Sequence, residues 1–470
     1  MYTIENVVMT RLTKHCISLM TALAAMTLGA TACSTDDGAA DTAQRMGYVS
    51  VRVTVDGTAD GATRAAGPQG GEDGDGRELA TARESEVNNI TVLLYRNTTS
   101  GGTLTDAINA GVRVEKALHF ASGEFTTTAG TAQPTDHTAT TAARECDRKL
   151  IGDDKCQLIV IANDRHANPD TYYNDKSLKE IADEIATTQW DGADAGSATN
   201  FLMTSESVAS TYGAKGSGTQ TDPVVVEARI ERLAARIDIV PNSTAWDATN
   251  KTYGYNIYSK KSGSTFVVGG FVLEKVAPIN CLSSGAYTLK RLSDGGTSGT
   301  EAYLADEDAT TYYVVCPWME ASATGLTFSN SYSGGSFAWP TTGYEMRSVT
   351  GADGYYTLAY VEENTSYDNK TSRATGLIFK GKKYDAGDWD ATTCTPTPKS
   401  GTATPKNVTY VYYLRHSDPT GSGSTADKMY YGVVRNNIYR VKIDKVVGDG
   451  LRFSIKVEPW KKYEHTPIYM

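Results

Sequence analysis

Three carboxylates that lie close together in the sequence come nearest to a catalytic arrangement. Asp385, Asp388 and Asp390 surround Trp389, and pairs of carboxylates carry out glycoside hydrolysis. An acidic turn has the same composition, and it is the interpretation that we favour. The sequence contains no HExxH pair, no GxSxG element, no phosphate-binding loop and no CxxC pair. We therefore predict no catalytic residues, no metal or cofactor site and no enzyme activity.

Cys33 is a second residue whose surroundings point to chemistry, in this case acylation. Arg11 and Lys14 precede an apolar segment, residues 16–28, that is as long as a signal-peptide core and too short for a membrane span. Small residues then lead to Cys33, which is the pattern that a lipoprotein signal peptidase cuts. We expect Cys33 to become the lipidated N-terminus, with outer-membrane lipid as its partner. The alternative is an ordinary secretory peptide that is cut near Ala32.

The residues after Cys33 predict export to the cell surface. The short acidic stretch 34–37 resembles the surface-export signal of Bacteroidales lipoproteins, and no later segment is long and apolar enough to span a membrane. The formal net charge is −10 and the isoelectric point about 5.3. This charge argues against nucleic acid as a partner, because a phosphate backbone requires a basic surface. We expect the protein on the outer membrane, facing outward.

The composition favours strands over helices. The 470 residues include 28 tyrosines and 44 glycines, which is typical of many short strands separated by turns, and they are enough for several domains. Export permits disulfides, but the pairing of the five cysteines after Cys33 cannot be derived from their spacing. These cysteines are Cys146, Cys156, Cys281, Cys316 and Cys394.

The first strand predicted after the signal segment is half-buried. Val49, Val51, Val53 and Val55 alternate with polar residues and therefore share one face of the strand. A run rich in Gly, Ala and Asp follows over residues 56–76, without apolar periodicity. We expect this run to be exposed and open to proteolysis.

One helix and a series of strands are predicted in the middle of the chain. A capping box begins the helix at Ser177, and Leu178, Ile181 and Ile185 share one face, which predicts a helix over residues 177–186. The predicted strands are Ile90–Tyr95, Gln157–Ala162, Thr265–Val272, Thr311–Val315, Tyr355–Val361, Leu377–Lys380 and Val408–Leu414.

Two further segments matter for domain organisation. Residues 224–240 fit a helix or a strand, and we favour extended structure at a domain junction, because β-branched residues crowd both ends and Pro241 ends the run. The chain closes with the strands Asn437–Val447 and Leu451–Val457. The Asp-Gly between them predicts either a hairpin or a strand followed by a free arm.

Three stretches carry a resemblance to a known family. Val433–Tyr439 has the sequence VVRNNIY, Val457–Lys461 is the Trp-containing VEPWK, and Glu231–Arg236 has the pattern ER-x-x-AR. In this order, and behind a lipoprotein signal, they resemble the fimbrillins (type V pilins) of Bacteroidales, and most closely the short-fimbria, Mfa-type subunits. The resemblance spans most of residues 33–470 and is poor over roughly 245–430.

The resemblance implies an all-β fold with a minor helix, built as two transthyretin-like β-sandwich domains in tandem. It implies a structural fimbrial subunit that supports adhesion. The implied partners are copies of itself, other fimbrial subunits, an Arg-specific trypsin-like protease, and a host protein or glycan. The expected segments are 1–33 as signal, 34–64 as tether and removable first strand, 65–228 and 229–450 as the two sandwiches, and 451–470 as a donor arm.

The resemblance also implies assembly by exchange of strands. A protease cuts after an Arg beyond the first strand, that strand leaves, and the C-terminal arm of another subunit fills the groove. We predict the cut after Arg64, before Ala65, with Arg77 and Arg83 as alternatives. The alternative for Leu451–Val457 is the last strand of its own domain, and the role as shaft, tip or anchor stays open. The predicted donor residues are Leu451, Phe453, Ile455, Val457 and Trp460.

Overall fold

The fold is described from a computed structural model. The described residues are 46–55, 80–128, 138–283, 285–294, 300–305, 313–317, 327–332, 335–341, 343–351, 354–365, 371–397, 404–416, 429–447 and 450–459, and the side chains of 261 and 456–459 are left out. Apart from Met46, the first residue of the first strand, all of them belong to one compact unit, Gly47–Met470.

The first half of the described chain contains short strands and three short helices. The strands are β1 (Met46–Val55), β2 (Ile90–Arg96), β3 (Lys116–Phe120), β4 (Phe125–Thr128), β5 (Thr138–Thr141), β6 (Arg144–Asp147), β7 (Cys156–Ala162), β8 (Ile185–Ala186), β9 (Met203–Ser205), β10 (Ala209–Ser210) and β11 (Val224–Arg232). The helices are α1 (Leu104–Asn109), α2 (Pro169–Tyr173) and α3 (Leu178–Ala182), with 3-10 turns at Arg83–Ser85 and Arg148–Leu150.

The described part of the second half contains strands and a 3-10 turn at Ala386–Asp388. Its strands are β12 (Ala234–Val240), β13 (Trp246–Asp247), β14 (Thr252–Lys261), β15 (Ser264–Ile279), β16 (Cys281–Leu282), β17 (Ala286–Tyr287), β18 (Arg291–Ser293), β19 (Glu301–Tyr303), β20 (Tyr313–Val314), β21 (Phe328–Ser329), β22 (Tyr356–Glu362), β23 (Asn364–Thr365), β24 (Gly376–Asp385), β25 (Trp389–Asp390), β26 (Thr395–Pro396), β27 (Lys406–Tyr413), β28 (Gly432–Val433), β29 (Asn437–Val447) and β30 (Gly450–Pro459).

The first large sheet takes all its strands from residues 46–232. Its order within the described chain is β3-β2-β7-β9-β11-β1-β5-β4, with β10 beside β7 and β6 beside β1. Alternate residues of β2 and β7 are buried on opposite faces, because one face packs in a core with β1 and β11 while the other lies under α1, α2 and α3. Both strands are therefore apolar along their whole length.

The second large sheet takes its strands from residues 234–459. Its order is β22-β12-β29-β14-β15-β24-β27, with β13 beside β14 and β30 beside β29 in the described residues. A second core lies against it and includes Ile237 of β12 and Tyr439 of β29. The single residue between β11 and β12, Leu233, is fully buried, so the chain passes directly from one sheet to the next.

These observations confirm the expected fold class, which is mostly β with few helical residues. The predicted strands at Ile90–Tyr95 and Gln157–Ala162 are confirmed as β2 and β7, with β7 between two neighbours in the sheet. Residues 224–240 are extended, as favoured, and they lie where one sheet ends and the other begins. The two C-terminal strands form a hairpin. The arrangement as two transthyretin-like domains stays a prediction.

The predicted helix over residues 177–186 is wrong in its length. Ser177 caps the helix as predicted, because its hydroxyl accepts a hydrogen bond from the Glu180 N–H at 3.2 Å. The helix nevertheless ends at Ala182, and Ile185 lies in β8 with 38% of its surface exposed. The physical reason is that β8 pairs with β17, which takes the backbone groups that a longer helix would need.

Candidate functional site

The first strand lies inside the first sheet and not at its edge. β1 runs parallel to β11 over seven register pairs, from Val49 with Val224 to Val55 with Ile230, and antiparallel to β5 on its other side. A parallel neighbour requires a long connection between the two strands. The chain supplies one, since residues 56–223 lie between β1 and β11.

The apolar face of β1 is completely buried, as predicted. Val49, Val51, Val53 and Val55 each have 0% exposure and belong to the first core. At about 1.5–3 kcal/mol for each buried side chain, the four contribute roughly 6–12 kcal/mol, which is an upper bound because the unfolded chain already buries part of its surface. That is comparable to the total stability of about 5–15 kcal/mol of a typical domain. The sheet therefore requires a strand at this position.

The polar residues of β1 fix its position at one end. The Ser50 hydroxyl donates a hydrogen bond to the Thr141 carbonyl at 2.7 Å, and the Val51 N–H donates to the Thr141 hydroxyl at 2.9 Å. Arg52 forms an exposed ion pair with Glu227 at 3.5 Å, which adds little because solvent screens it. The strand is thus held mainly by its ladder and its valines.

Several predicted functional residues lie outside the described residues. These are the lipidation residue Cys33, the cleavage pair Arg64 and Ala65, the alternative cleavage residue Arg77, and Trp460. The chain between the end of β1 at Val55 and residue 80 is likewise outside them. The residues on both sides of this stretch are described, and their contacts show which cuts would disturb the fold.

The chain is tightly held directly after this stretch. Glu84 is only 1% exposed; its carbonyl accepts a hydrogen bond from Arg232 Nε at 2.6 Å, and its carboxylate pairs with Arg236 Nη1 at 3.3 Å. Tyr360 also donates its hydroxyl to that carboxylate. We call Glu84, Arg232, Arg236 and Tyr360 the Glu84 clamp. It joins the chain just after residue 80 to both large sheets.

Arg83 can be compared with the other cleavage candidates. Its side chain is exposed, but its guanidinium donates to the Gly196 carbonyl, and the next two residues, Glu84 and Ser85, are both 1% exposed. A protease that cuts after Arg83 must draw these residues out of the clamp. A cut before residue 80 does not require any residue of the clamp to move.

The two family-like motifs meet next to this clamp. Asn436 of the VVRNNIY stretch accepts a hydrogen bond from Arg232 Nη1 at 3.2 Å, and its N–H donates to the Ala234 carbonyl at 2.9 Å. Arg435 is 1% exposed and pairs with Glu363 at 3.0 Å. A buried arginine must keep such a partner, because an unpaired buried charge is strongly destabilising. Both motifs therefore act in joining the sheets.

Sequence reasoning did not find the Glu84 clamp. The arginines of ERLAAR stand among apolar residues and a few other charges, which is the one signal that charges are buried there. Their partner Glu84, and Tyr360 that donates to Glu84, lie more than a hundred residues away on either side, and nothing in the spacing connects them.

The C-terminal strand lies at an edge. β30 pairs antiparallel with β29 of the same chain from Asn437 with Pro459 to Val447 with Gly450, and with no other strand among the described residues. Leu451 and Ile455 are 9% and 7% exposed and contribute to the second core. Phe453 stacks on Phe379 with a centroid distance of 4.5 Å. The apolar face predicted for this strand is therefore used within the chain.

β1 and β30 have the same design. Each has ten residues, and each carries four apolar residues at every second position, which are Val49, Val51, Val53 and Val55 in β1 and Leu451, Phe453, Ile455 and Val457 in β30. A strand of either kind presents one apolar face to a core and one ladder edge to a neighbour.

The carboxylates around Trp389 form a turn, as favoured. Asp390 accepts hydrogen bonds from the N–H groups of Thr392 and Thr393, and these bonds lower the pKa of its carboxyl. Trp389 is buried over Gly270, where a Cβ atom would lie 1.8 Å from the indole ring. The Asp390 carboxylate therefore stabilises the turn that follows it.

The cysteines and the membrane question can be stated for the described residues. Cys146, Cys156, Cys281, Cys316 and Cys394 are all free thiols there. Burial raises the pKa of the Cys146 thiol to about 11, so this thiol is a poor nucleophile. In the part of the chain that the structure describes, no helix has the length and apolarity needed to cross a bilayer.

The solved structures that this chain matches include fimbrial and cell adhesion proteins. A Parabacteroides distasonis protein provisionally assigned to cell adhesion is 14% identical, with a TM-score of 0.41, over 88% of this chain and 100% of its own. The tip fimbrial protein Mfa3 of Porphyromonas gingivalis, C-terminally truncated, is 13% identical, with a TM-score of 0.38, over 88% and 100%. Fimbrilin FimA of Porphyromonas gingivalis is 14% identical, with a TM-score of 0.38, over 89% and 99%.

The sequence itself has no such match. No protein-family model matches it, and no curated protein matches it significantly.

Proposed function

We propose that this chain is a structural subunit of a surface fimbria that polymerises by exchange of strands and supports adhesion. The observation that carries the proposal is β1, a first strand buried inside the sheet and separated from the rest of the chain by residues 56–79. A non-catalytic role accords with the turn geometry at Asp390. The family-like motifs add the fimbrial setting.

The route begins with export of the chain as a lipoprotein. The lipid on Cys33 anchors it in the outer membrane. An Arg-specific protease then cuts after Arg64, before Ala65. This position lies between the end of β1 and the Glu84 clamp, so a cut separates the strand from the body while the clamp keeps the new N-terminus attached. A cut after Arg77 acts in the same way, whereas a cut after Arg83 disrupts the clamp itself.

Departure of β1 opens a groove along β11 and β5 that must be filled. The groove has unpaired ladder groups and an apolar floor, and such an edge recruits an added strand. β30 of a second copy supplies the same length and the same apolar spacing. Its release from β29 loses the burial of Leu451, Phe453 and Ile455, roughly 5–9 kcal/mol at about 1.5–3 kcal/mol each. Its insertion into the open groove recovers a similar amount, so the transfer of β30 from β29 to that groove is close to balanced.

The cis pairing of β30 favours a second candidate role. A subunit whose β30 stays on its own β29 accepts a strand but donates none, and it would therefore occupy one end of the fimbria as a tip or accessory subunit. An uncut subunit that keeps Cys33 and β1 would be the anchor. A host protein or glycan is a candidate ligand for a tip subunit.

Controlled trimming of the purified precursor tests the proposal. A trypsin-like protease is expected to remove β1 and to yield heat-resistant ladders on denaturing gels. The matched variants Arg64→Ala and Arg83→Ala distinguish the sites, since the first is expected to abolish the N-terminus at Ala65 and the second to leave it unchanged. Deletion of residues 451–470 stops elongation of a shaft subunit but leaves a tip subunit able to join wild-type polymers. A stable trimmed monomer that forms no ladder would contradict polymerisation.

A further inference from the structure

A cavity of about 380 Å³ lies beside the end of β1, and no residue of β1 lines it. One wall comes from segment 82–88, and the other from Thr127 of β4 with Thr138 and Ala139 of β5. Thr138 pairs with Thr54, the last residue but one of β1. The volume falls within the range of roughly 300–1,000 Å³ that is typical of binding sites. The cavity is therefore large enough for one bulky side chain from another molecule.

The floor of this cavity is apolar. Ala139 is 2% exposed and belongs to the first core, and Val87 packs against the same core. At the rim, the guanidinium of Arg83 already donates a hydrogen bond to the Gly196 carbonyl. The cavity thus continues the apolar floor of the groove that β1 occupies.

The cavity lies where a strand in the place of β1 would continue. Val55, the last residue of β1, pairs with Ile230 of β11. Two residues further along the chain, Arg232 donates from Nε to the Glu84 carbonyl at 2.6 Å and from Nη2 to the Ser85 hydroxyl at 3.0 Å. Ser85 lines the cavity. At about 3.3 Å per residue, the lining segment is therefore reached about 7 Å beyond the end of β1.

A donor β30 would bring its next bulky side chain to this place, a step that rests on the proposed strand exchange. The four alternating apolar residues of β30 end at Val457, as those of β1 end at Val55. A donor strand that runs in the direction of β1 and buries all four therefore places Val457 at the position of Val55. Glu458 and Pro459 then span the distance to the cavity, and Trp460 follows. Because proline has no N–H to continue a ladder, the chain can leave the groove at that point.

We propose that this cavity receives the Trp460 side chain of the neighbouring subunit. An indole suits the site because it buries a large apolar area, about 150–250 Å², and carries a single N–H that needs an acceptor. Glu86 is exposed at the rim and supplies such an acceptor. Arg83 supplies a guanidinium, a group that stacks on indole faces. Trp460 thus anchors the far end of the inserted strand in the acceptor subunit.

Dissociation of trimmed polymers in denaturant tests the inference, read as the rate at which the ladders collapse to monomer on gels. Trp460→Ala is expected to speed dissociation about thirtyfold, because it removes the anchor, and Val87→Ala about fivefold, because it removes part of the floor. The two effects are expected not to multiply. The double variant should dissociate within about twofold of the rate of Trp460→Ala, since Val87 has then already lost its partner.

Two matched controls and one conservative variant complete the set. Tyr463→Ala changes an aromatic residue three positions further along the same tail, and Val268→Ala changes an exposed valine of β15 that does not line the cavity. Each is expected to change the rate less than about twofold. Trp460→Phe keeps an aromatic ring and is expected to restore most of the wild-type lifetime. Thermal melts of the trimmed monomers identify a variant that is misfolded.

The outcomes separate this inference from the proposed function. A Trp460→Ala polymer that dissociates at the wild-type rate, or a double variant whose acceleration is the product of the two single ones, would overturn the inference and leave the strand exchange intact. A wild-type chain that forms no polymer after trimming would overturn the proposed function, and this inference with it.

Discussion

Two valines in neighbouring strands allow the exchange to be tested, because one lies in the strand that is expected to leave and the other in the groove that remains. Val51 of β1 pairs with Val226 of β11, the two are 0% and 2% exposed, and both belong to the first core. Replacement by alanine removes two methyl groups from either. At about 0.8 kcal/mol per buried carbon, plus a term for the cavity left behind, each change is expected to cost about 2 kcal/mol in the uncut precursor.

The two variants are expected to diverge after trimming and assembly. Val51→Ala leaves with β1, so the polymer should dissociate at the same denaturant concentration as the wild-type polymer. Val226→Ala remains in the groove wall against the incoming strand, so its polymer should still be weaker by about 2 kcal/mol for each subunit. The identical chemistry of the two changes removes side-chain size as an explanation.

The assay is denaturant unfolding of the precursor followed by denaturant dissociation of the polymer, read by intrinsic fluorescence and by gel. Equal destabilisation of both precursors shows that the two positions are equivalent before processing. A Val51→Ala polymer that is weaker than wild type would show that β1 stays in the sheet, and it would refute the exchange.

Three further predictions concern the described contacts. Glu84→Gln removes the charge that pairs with Arg236 and is expected to destabilise the chain by about 2 kcal/mol in urea unfolding, while the exposed Glu86→Gln changes it by less than about 0.5 kcal/mol; equal effects would contradict a buried clamp. Burial raises the pKa of Glu362 from 4.5 to about 7, so the folded state binds its proton more tightly, and its stabilising effect, present at low pH, is lost as the pH rises through 7. Between pH 4.5 and 8 the wild type should lose roughly 3 kcal/mol from this group, and Glu362→Gln should not; the same pH slope in both would show that the carboxyl is solvated. Ser177→Ala removes the cap of α3 and is expected to cost about 1 kcal/mol in the same unfolding assay, with no change counting against the cap.

Strands with alternating apolar residues could be predicted from the sequence. β1 has four valines at every second position, and the β29–β30 hairpin has alternation on both sides of the Asp-Gly pair. Both signals are local. The alternation in the sequence matches the structure because each strand buries only one of its two faces. The parallel pairing of β1 with β11 could not be predicted, because register between distant strands depends on the whole sheet.

Other elements escaped prediction for identifiable reasons. In β14, Tyr253, Tyr255 and Ile257 alternate on the buried face, but Gly254 interrupts the pattern and appears as a breaker. The structure explains that glycine, since a Cβ atom there would lie 1.9 Å from the Cys394 carbonyl oxygen. α1 has a capping box from Thr103 and Asp106, in which the aspartate departs from the usual Glu or Gln.

The candidate site was predictable only in part. The apolar faces of β1 and β30 follow from the sequence, whereas the cis pairing of β30 does not, because the same alternation suits a last strand and a donor arm. The Glu84 clamp depends on partners far apart in the chain. Contacts of that kind follow from the tertiary fold and leave no periodic signal.

The central claim is that β30 of one copy occupies the place of β1 in another, and a cross-link at Phe453 tests it most directly. Phe453 is replaced by photoreactive benzoylphenylalanine, and polymers are grown from a mixture of isotope-labelled and unlabelled trimmed subunits. We predict that mass spectrometry finds cross-links of mixed isotope between this position and β11 (Val224–Arg232). Cross-links confined to one isotope and to the cis neighbour Phe379, which stacks on Phe453 at 4.5 Å, would contradict strand exchange.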